Sequence, residues 1–265
     1  MKVPELQWEP SVFRDPLGGS IVLWPYLPCV RMPKHLRPRG WDGLALLSSS
    51  DELLSLKEEE KQDKESPGIH VESAAASGTT LGMLVRDLTE LEVDGPFIPD
   101  PERIRLLRHA ENSRGGMPIY SIEPGIGDSK WADWQSRWAD EQVRVRNLLA
   151  TMRRSSRWSK IRKMAINKVS SSKWVDPDLG AAATVCAAWW LEEASSLTDE
   201  LVRERDCRIS SRLRGALADM RANKIGSLNE AGSPVLLVPV HQAYQSSLEN
   251  SLFGSDVVEE MREEP

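Results

Sequence analysis

The chain of 265 residues contains only three cysteines, four histidines, three phenylalanines and three tyrosines. Cys29, Cys186 and Cys207 are odd in number, widely spaced and free of any Cys-x-x-Cys pair. That pattern excludes a disulfide framework or zinc ribbon and fits packed thiols in a reducing compartment. Zinc-finger spacing, an RNP string and a Gly-rich phosphate loop are also missing, so no sequence motif strengthens a nucleic-acid-binding reading. The most apolar stretch, Leu179 to Leu191, falls short of the roughly 20 residues a membrane-spanning helix requires. The first ten residues lack a basic region followed by an apolar run, so no secretory signal is read and a cytoplasmic location is expected. The last absence is local: residues 142 to 175 hold ten Arg or Lys and no acid, so a net charge of -6 divides into +10 there and -16 elsewhere.

What is present is the patterning of an α/β protein. Four short apolar runs bounded by turn residues read as buried strands: Ile21 to Leu27, Gly43 to Ser48, Pro118 to Ile122 and Pro234 to Val240. Helical spacing follows the second run over Asp51 to Lys64 and recurs over Thr80 to Glu92. Asp100-Pro101-Glu102 is a helix start in which Asp caps free amides and Pro loses no needed donor, and that helix should run to Asn112. Residues 66 to 78, rich in Ser, Ala and Gly, read as a loop. Lys130 to Lys224 reads as long helices broken near Ser170 to Gly180. The expected fold is therefore a mostly parallel central sheet with flanking helices and a large helical insertion before the last strand. Its parts are residues 1–128 (first part of the α/β domain), 129–225 (a basic, Trp-rich helical subdomain), 226–254 (last strand and helix) and 255–265 (an acidic tail expected to fray).

In open parallel sheets, ligands sit beyond the carboxyl ends of the strands. There the sequence places Pro28 and Cys29, Ser48 to Glu52, Glu123 to Gly125, and His241 with Gln242. His241 and Glu123 carry the most chemistry among them. Arg205 joins them because Leu197, Leu201, Arg205 and Arg208 share a helix face, which aims Arg205 inward and requires an acidic partner or a site. Arg108-His109 is similar to the Arg-His-Gly signature of histidine phosphatases, but the helix expected over 101–112 would point the two side chains about 100° apart.

The order of these segments resembles the TraB family of TraB, PrgY and GumN proteins, distantly similar to the Tiki metalloproteases. Gly19-Ser20-Ile21-Val22-Leu23-Trp24 is similar to the family's first strand, Gly43 to Leu47 with Asp51 to Leu54 to its second, and Arg114 to Glu123 to its third. Glu204-Arg205-Asp206 resembles its penultimate helix motif, and Pro234 to His241 its last strand. The resemblance implies a site in which histidines and an acid hold a divalent metal whose bound water is the nucleophile. Here the first histidine has no counterpart, since Leu27-Pro28-Cys29 stands in its place and His35 comes several residues late, and Leu47 replaces the acid. Only His241 remains as a metal ligand, too few for a three-ligand site. The implied function is a catalytically degraded TraB-like protein, regulatory or partner-binding, with no cofactor or a divalent metal. The enzyme alternative is a metal-dependent hydrolase of peptidase type using His241, Glu123 and Arg205.

The basic segment adds an anion-binding alternative through Arg153, Arg154, Arg157, Lys160, Arg162 and Lys163, toward nucleic acid or an anionic membrane surface. Charge balance against the acidic remainder is the competing reading. Seven of ten tryptophans lie between Trp131 and Trp190, with Trp131, Trp134 and Trp138 on one helical stripe. The stripe reads as core, or as the seam of a homo-oligomer or protein complex.

Overall fold

One five-stranded sheet organises the computed structural model, which describes residues 2–125, 127–225 and 233–261. Its strands are β1 (Ser11–Arg14), β2 (Ser20–Tyr26), β3 (Gly43–Leu46), β4 (Ile119–Ser121) and β5 (Val235–His241), in the order β1-β2-β5-β3-β4. β2, β5, β3 and β4 are parallel, and β1 pairs antiparallel with β2 at one edge. β5 is central and buried from Leu236 to His241, which is why it reads as a continuous apolar run instead of an alternation.

The helices are α1 (Ser50–Glu65), α2 (Ile69–Ala76), α3 (Thr80–Thr89), α4 (Pro101–Asn112), α5 (Ser129–Val143), α6 (Val145–Thr151), α7 (Arg154–Ile166), α8 (Pro177–Glu193), α9 (Asp199–Ala222) and α10 (Gln245–Gly254). On one face of the sheet, Trp24, Leu44, Leu46 and Leu237 pack with α3, α4 and the Ala-rich side of α8. On the other, Ile21, Leu23, Leu236 and Val238 meet Leu213 and Leu217 of α9 and Leu248 of α10. The α/β architecture is therefore as expected. Helices α8 and α9, expected within a subdomain at 129–225, supply cover for the two faces of the sheet itself. The expected boundary at 225/226 abuts residues 226–232, which lie outside the described residues, as do residues 262–265 of the tail.

Three local expectations change. β1 was not anticipated. Residues 66–78 contain α2, which packs on α3 because Gly82 has no Cβ; one added there would lie 2.4 Å from the Ala74 carbonyl oxygen. Over its described part the tail packs on α9 through Glu259. The Glu259 N–H donates to the Ser211 carbonyl at 3.0 Å, and its carboxylate pairs with Arg208 at 2.7 Å and Arg212 at 3.2 Å. A Cβ on Gly215 would stand 1.7 Å from the Glu259 carbonyl oxygen. Gly215→Ala should therefore expel the tail while the gain in helix propensity, about 1 kcal/mol, offsets the lost contacts. We expect limited proteolysis to remove the tail from the variant faster than from the wild type, with the denaturation midpoint almost unmoved. A tail equally protected in both would contradict this packing.

Candidate functional site

A proline inside a central strand removes one ladder donor. Pro239 lies in β5, and the β5–β3 pairing ends two residues before it, at Leu44 opposite Leu237. Beyond that point, at the carboxyl ends of the parallel strands, lies a cavity of about 320 Å³. Tyr26 and Cys29 enter from the end of β2, Leu46 and Leu47 from β3, Glu123 from beyond β4, and His241 and Tyr244 from β5 and its following turn. Helices complete it with Asp100 and Arg103 at the start of α4, Trp189 and Trp190 on α8, and Arg205 on α9. The three residues expected to carry chemistry, His241, Glu123 and Arg205, thus line one cavity.

Each is held by neighbours that fix its chemistry. Glu123 continues the line of β4: its N–H donates to the Ser48 carbonyl at 3.2 Å. Arg212 of α9 donates to the carbonyls of Ile122 at 2.6 Å and Ser121 at 3.3 Å, pinning the segment just before it. Burial raises the Glu123 carboxyl to about 7, helped by the charge of Glu52 and opposed by Arg205 and Arg103. Arg205 is fixed on two sides. Its Nε donates to Asp206 Oδ1 at 3.0 Å, and its guanidinium carbon lies 4.6 Å from the centre of the Tyr244 ring.

His241 is stacked on Trp190, with ring centres 5.1 Å apart and planes inclined by 14°. The Ala243 N–H donates to its Nδ1 at 3.0 Å, so the neutral ring carries its proton on Nε2. Burial holds its pKa down to about 3, with the Cys186 backbone pulling the other way. That backbone is near, yet Nε2 forms no hydrogen bond of good geometry. Trp189 Nε1 and Arg103 Nη2 are likewise buried with no partner among the described residues. A desolvated donor left unmatched costs about 1–3 kcal/mol, so the wall of this cavity favours an acceptor.

The residues present do not fit a divalent metal. Among the described residues, no three His, Cys, Asp or Glu side chains converge to hold one. His241, expected as the metal ligand, has its Nδ1 lone pair occupied by an amide and its Nε2 protonated. Asp100 is already committed: Oδ1 accepts from the amides of Glu102 and Arg103, and Oδ2 from that of Cys29. Leu47 does reach the cavity, but as an apolar wall. His35 is exposed and bonded through Nε2 to the Trp174 carbonyl at 2.9 Å, and it is absent from the cavity lining. His109 is exposed on α4 and rests on Trp41. The Cys29 thiol is pushed up by burial and by the charge of Asp100, which removes it as a nucleophile.

Sequence reasoning missed Arg103, Trp189, Trp190 and Tyr244. Arg103 was reachable: a capping Asp100 places residue 103 in the first turn of α4, beside its own cap. The tryptophans carried no such signal, because their helix had not been assigned to this edge of the sheet.

The basic segment divides. Arg157 pairs with buried Glu192 and Arg162 with Asp87 at 2.8 Å. Lys168 pairs with Glu5 at 2.6 Å, and Arg144 and Arg146 share Glu141 at 2.9 and 3.1 Å. Arg157 and Arg162 are thereby withdrawn from the expected anion-binding set. Arg153, Arg154, Lys160 and Lys163 form no ion pair with a described residue. The tryptophan stripe is also engaged internally: Trp131 and Trp134 stack at 4.6 Å with Leu201, and the Trp134 Nε1–H donates to the Leu201 carbonyl.

Compared with known proteins, the chain matches no family model, and no curated protein or solved structure resembles it significantly. No helix among the described residues is long and apolar enough to cross a membrane.

Proposed function

We propose that this chain is a TraB-like α/β protein that binds a small anionic ligand at its sheet edge, acting as a regulatory or partner-binding protein and not as a metal-dependent hydrolase. In this reading the helices between β4 and β5 are the family's helical insertion. The observation that carries it is the pairing of Arg103 and Arg205, from two different helices, on one cavity with desolvated N–H donors around it. The apolar remainder of the wall, Leu46, Leu47, Ile209 and Pro239, suits a ligand with an apolar body behind its anionic group.

Glu123 gives this site its own proton chemistry. Its ionised form is favoured by the charges of Arg205 and Arg103 and disfavoured by burial, and Arg205 is also paired with Asp206. An anion bound beside the arginines adds a like charge next to Glu123, which favours the neutral acid. Binding above its pKa of about 7 therefore takes up a proton, and binding well below that value does not. Affinity should fall as pH rises through 7.

Calorimetric titration with phenyl phosphate and benzoate, in buffers of different ionisation enthalpy, tests both parts. We expect uptake of about one proton per ligand at alkaline pH, a pH-independent affinity in Glu123→Gln, and at least about ten-fold weaker binding in Arg103→Ala. Binding that ignores both pH and Arg103→Ala would refute the assignment.

A further inference from the structure

Helix α6 and the Met152 that follows it present an amphipathic stripe that is exposed among the described residues. Val145, Leu148, Leu149 and Met152 are spaced i, i+3, i+4 and i+7, the spacing of one helix face. They are 72%, 51%, 58% and 81% exposed, and Val143 just before them is 66% exposed. Large apolar side chains gathered at this density in water mark an interaction site. The flanks are basic: Arg153, Arg154, Lys160 and Lys163 follow directly without ion pairs to described residues, in a segment with no acid from 142 to 175.

We infer that α6 and the start of α7 form an anionic-lipid-binding surface, with the apolar stripe seated at the acyl boundary and the free basic residues on the headgroups. This site is separate from the sheet-edge cavity and does not depend on it. Charge complementarity selects the occupant. A second copy docking patch to patch would bring like charges together, which costs affinity. A nucleic acid would satisfy the arginines but leave the aliphatic stripe in water, and no aromatic side chain lies between Trp138 and Trp158 to stack on a base. A lipid interface satisfies both halves, and the basic residues supply the electrostatic part of the attraction.

Flotation with vesicles tests this on the full chain, comparing pure phosphatidylcholine with a mixture rich in phosphatidylserine. We expect recovery with the anionic vesicles only, reduced by salt. Partitioning should fall at least about ten-fold in the double variant Leu148→Asp with Leu149→Asp, and about as much in Arg153→Glu with Arg154→Glu. All four side chains lie at the surface or partly so, and circular dichroism verifies that the fold is kept. Equal recovery with neutral vesicles, no recovery, or binding unchanged in both variants would overturn the inference. So would an oligomer in vesicle-free solution that the leucine variant dissociates, which would assign the stripe to a second copy. Oligonucleotide binding that the arginine variant abolishes, without vesicle binding, would assign the charges to nucleic acid.

Discussion

Asp206→Ala is expected to destabilise the protein by about 3–5 kcal/mol and to abolish binding of the anionic probes. The Asp206 side chain is 7% exposed and serves three donors: Arg205 Nε at 3.0 Å and the Tyr244 hydroxyl at 2.8 Å on Oδ1, and the Ser247 hydroxyl at 2.5 Å on Oδ2. A buried ion pair adds little net stability relative to a well-packed apolar pair, but removing one partner strands the other charge. Here the stranded group is Arg205, itself only 14% exposed, together with a buried phenol. Asp206→Asn separates geometry from charge. Its carbonyl still accepts from Tyr244 and its amide can donate to Ser247, so the cost should drop to about 1–2 kcal/mol, with part of the binding retained. Urea denaturation of both variants measures this. A loss under about 1 kcal/mol for Asp206→Ala would mean that Arg205 is oriented by its contact with Tyr244 alone.

The same contacts explain what could and could not be read from the sequence. β3 and β5 were legible because burial on both faces forces unbroken apolar runs, and β2 and β4 because short apolar runs there are bounded by turn residues. The start of α4 was legible because a cap is a local transaction, confirmed by Asp100 Oδ1 accepting from Glu102 and Arg103. From strand order alone, the rule that ligands sit beyond carboxyl ends brought His241 and Glu123 to one edge. β1 was illegible for a physical reason. Only Phe13 of its four residues is buried, and its pairing with β2 is decided by the ladder and not by any pattern in Ser11-Val12-Phe13-Arg14. α2 was hidden by composition, since its alanines and serine look like loop until α3 packs against it.

The charge segregation shows the opposite limit. A +10 segment is visible by counting, but its partners are not: Asp87 on α3, Glu192 on α8 and Glu5 near the N-terminus are 75, 35 and 163 positions away from the bases they neutralise. Which bases remain free is therefore a property of the fold. The same holds for the metal reading. Counting ligands in sequence left one histidine, while the structure adds that the Ala243 amide donates to its Nδ1, which places the ring proton on Nε2. With Nε2–H unpartnered among the described residues, the ring presents a donor and not a lone pair.

The pH dependence of stability should carry the signature of this cavity, although wild-type measurements alone would conceal it. His241 titrates at about 3 in the folded chain and near 6.5 when unfolded. Between those values only the unfolded state binds its proton, so stability falls as pH falls, by about 1.4 kcal/mol per pH unit and about 3–5 kcal/mol in all. Glu123 acts in the opposite sense. Its folded value is about 7 against 4.5 unfolded, so between these limits the folded state holds the extra proton and stability rises as pH falls. Its slope has the same size and the opposite sign, and its window is the narrower one. From pH 6.5 down to 4.5 the two largely cancel, and the wild-type curve should be shallow, steepening only below 4.5. His241→Asn keeps an acceptor for the Ala243 amide and removes the titration; its stability should increase on acidification through this window. Glu123→Gln should lose stability on acidification over the same range, because the His241 slope is no longer compensated. Urea unfolding free energies at several pH values decide the matter, and parallel curves for the wild type and His241→Asn would show that the imidazole is not held neutral by its burial.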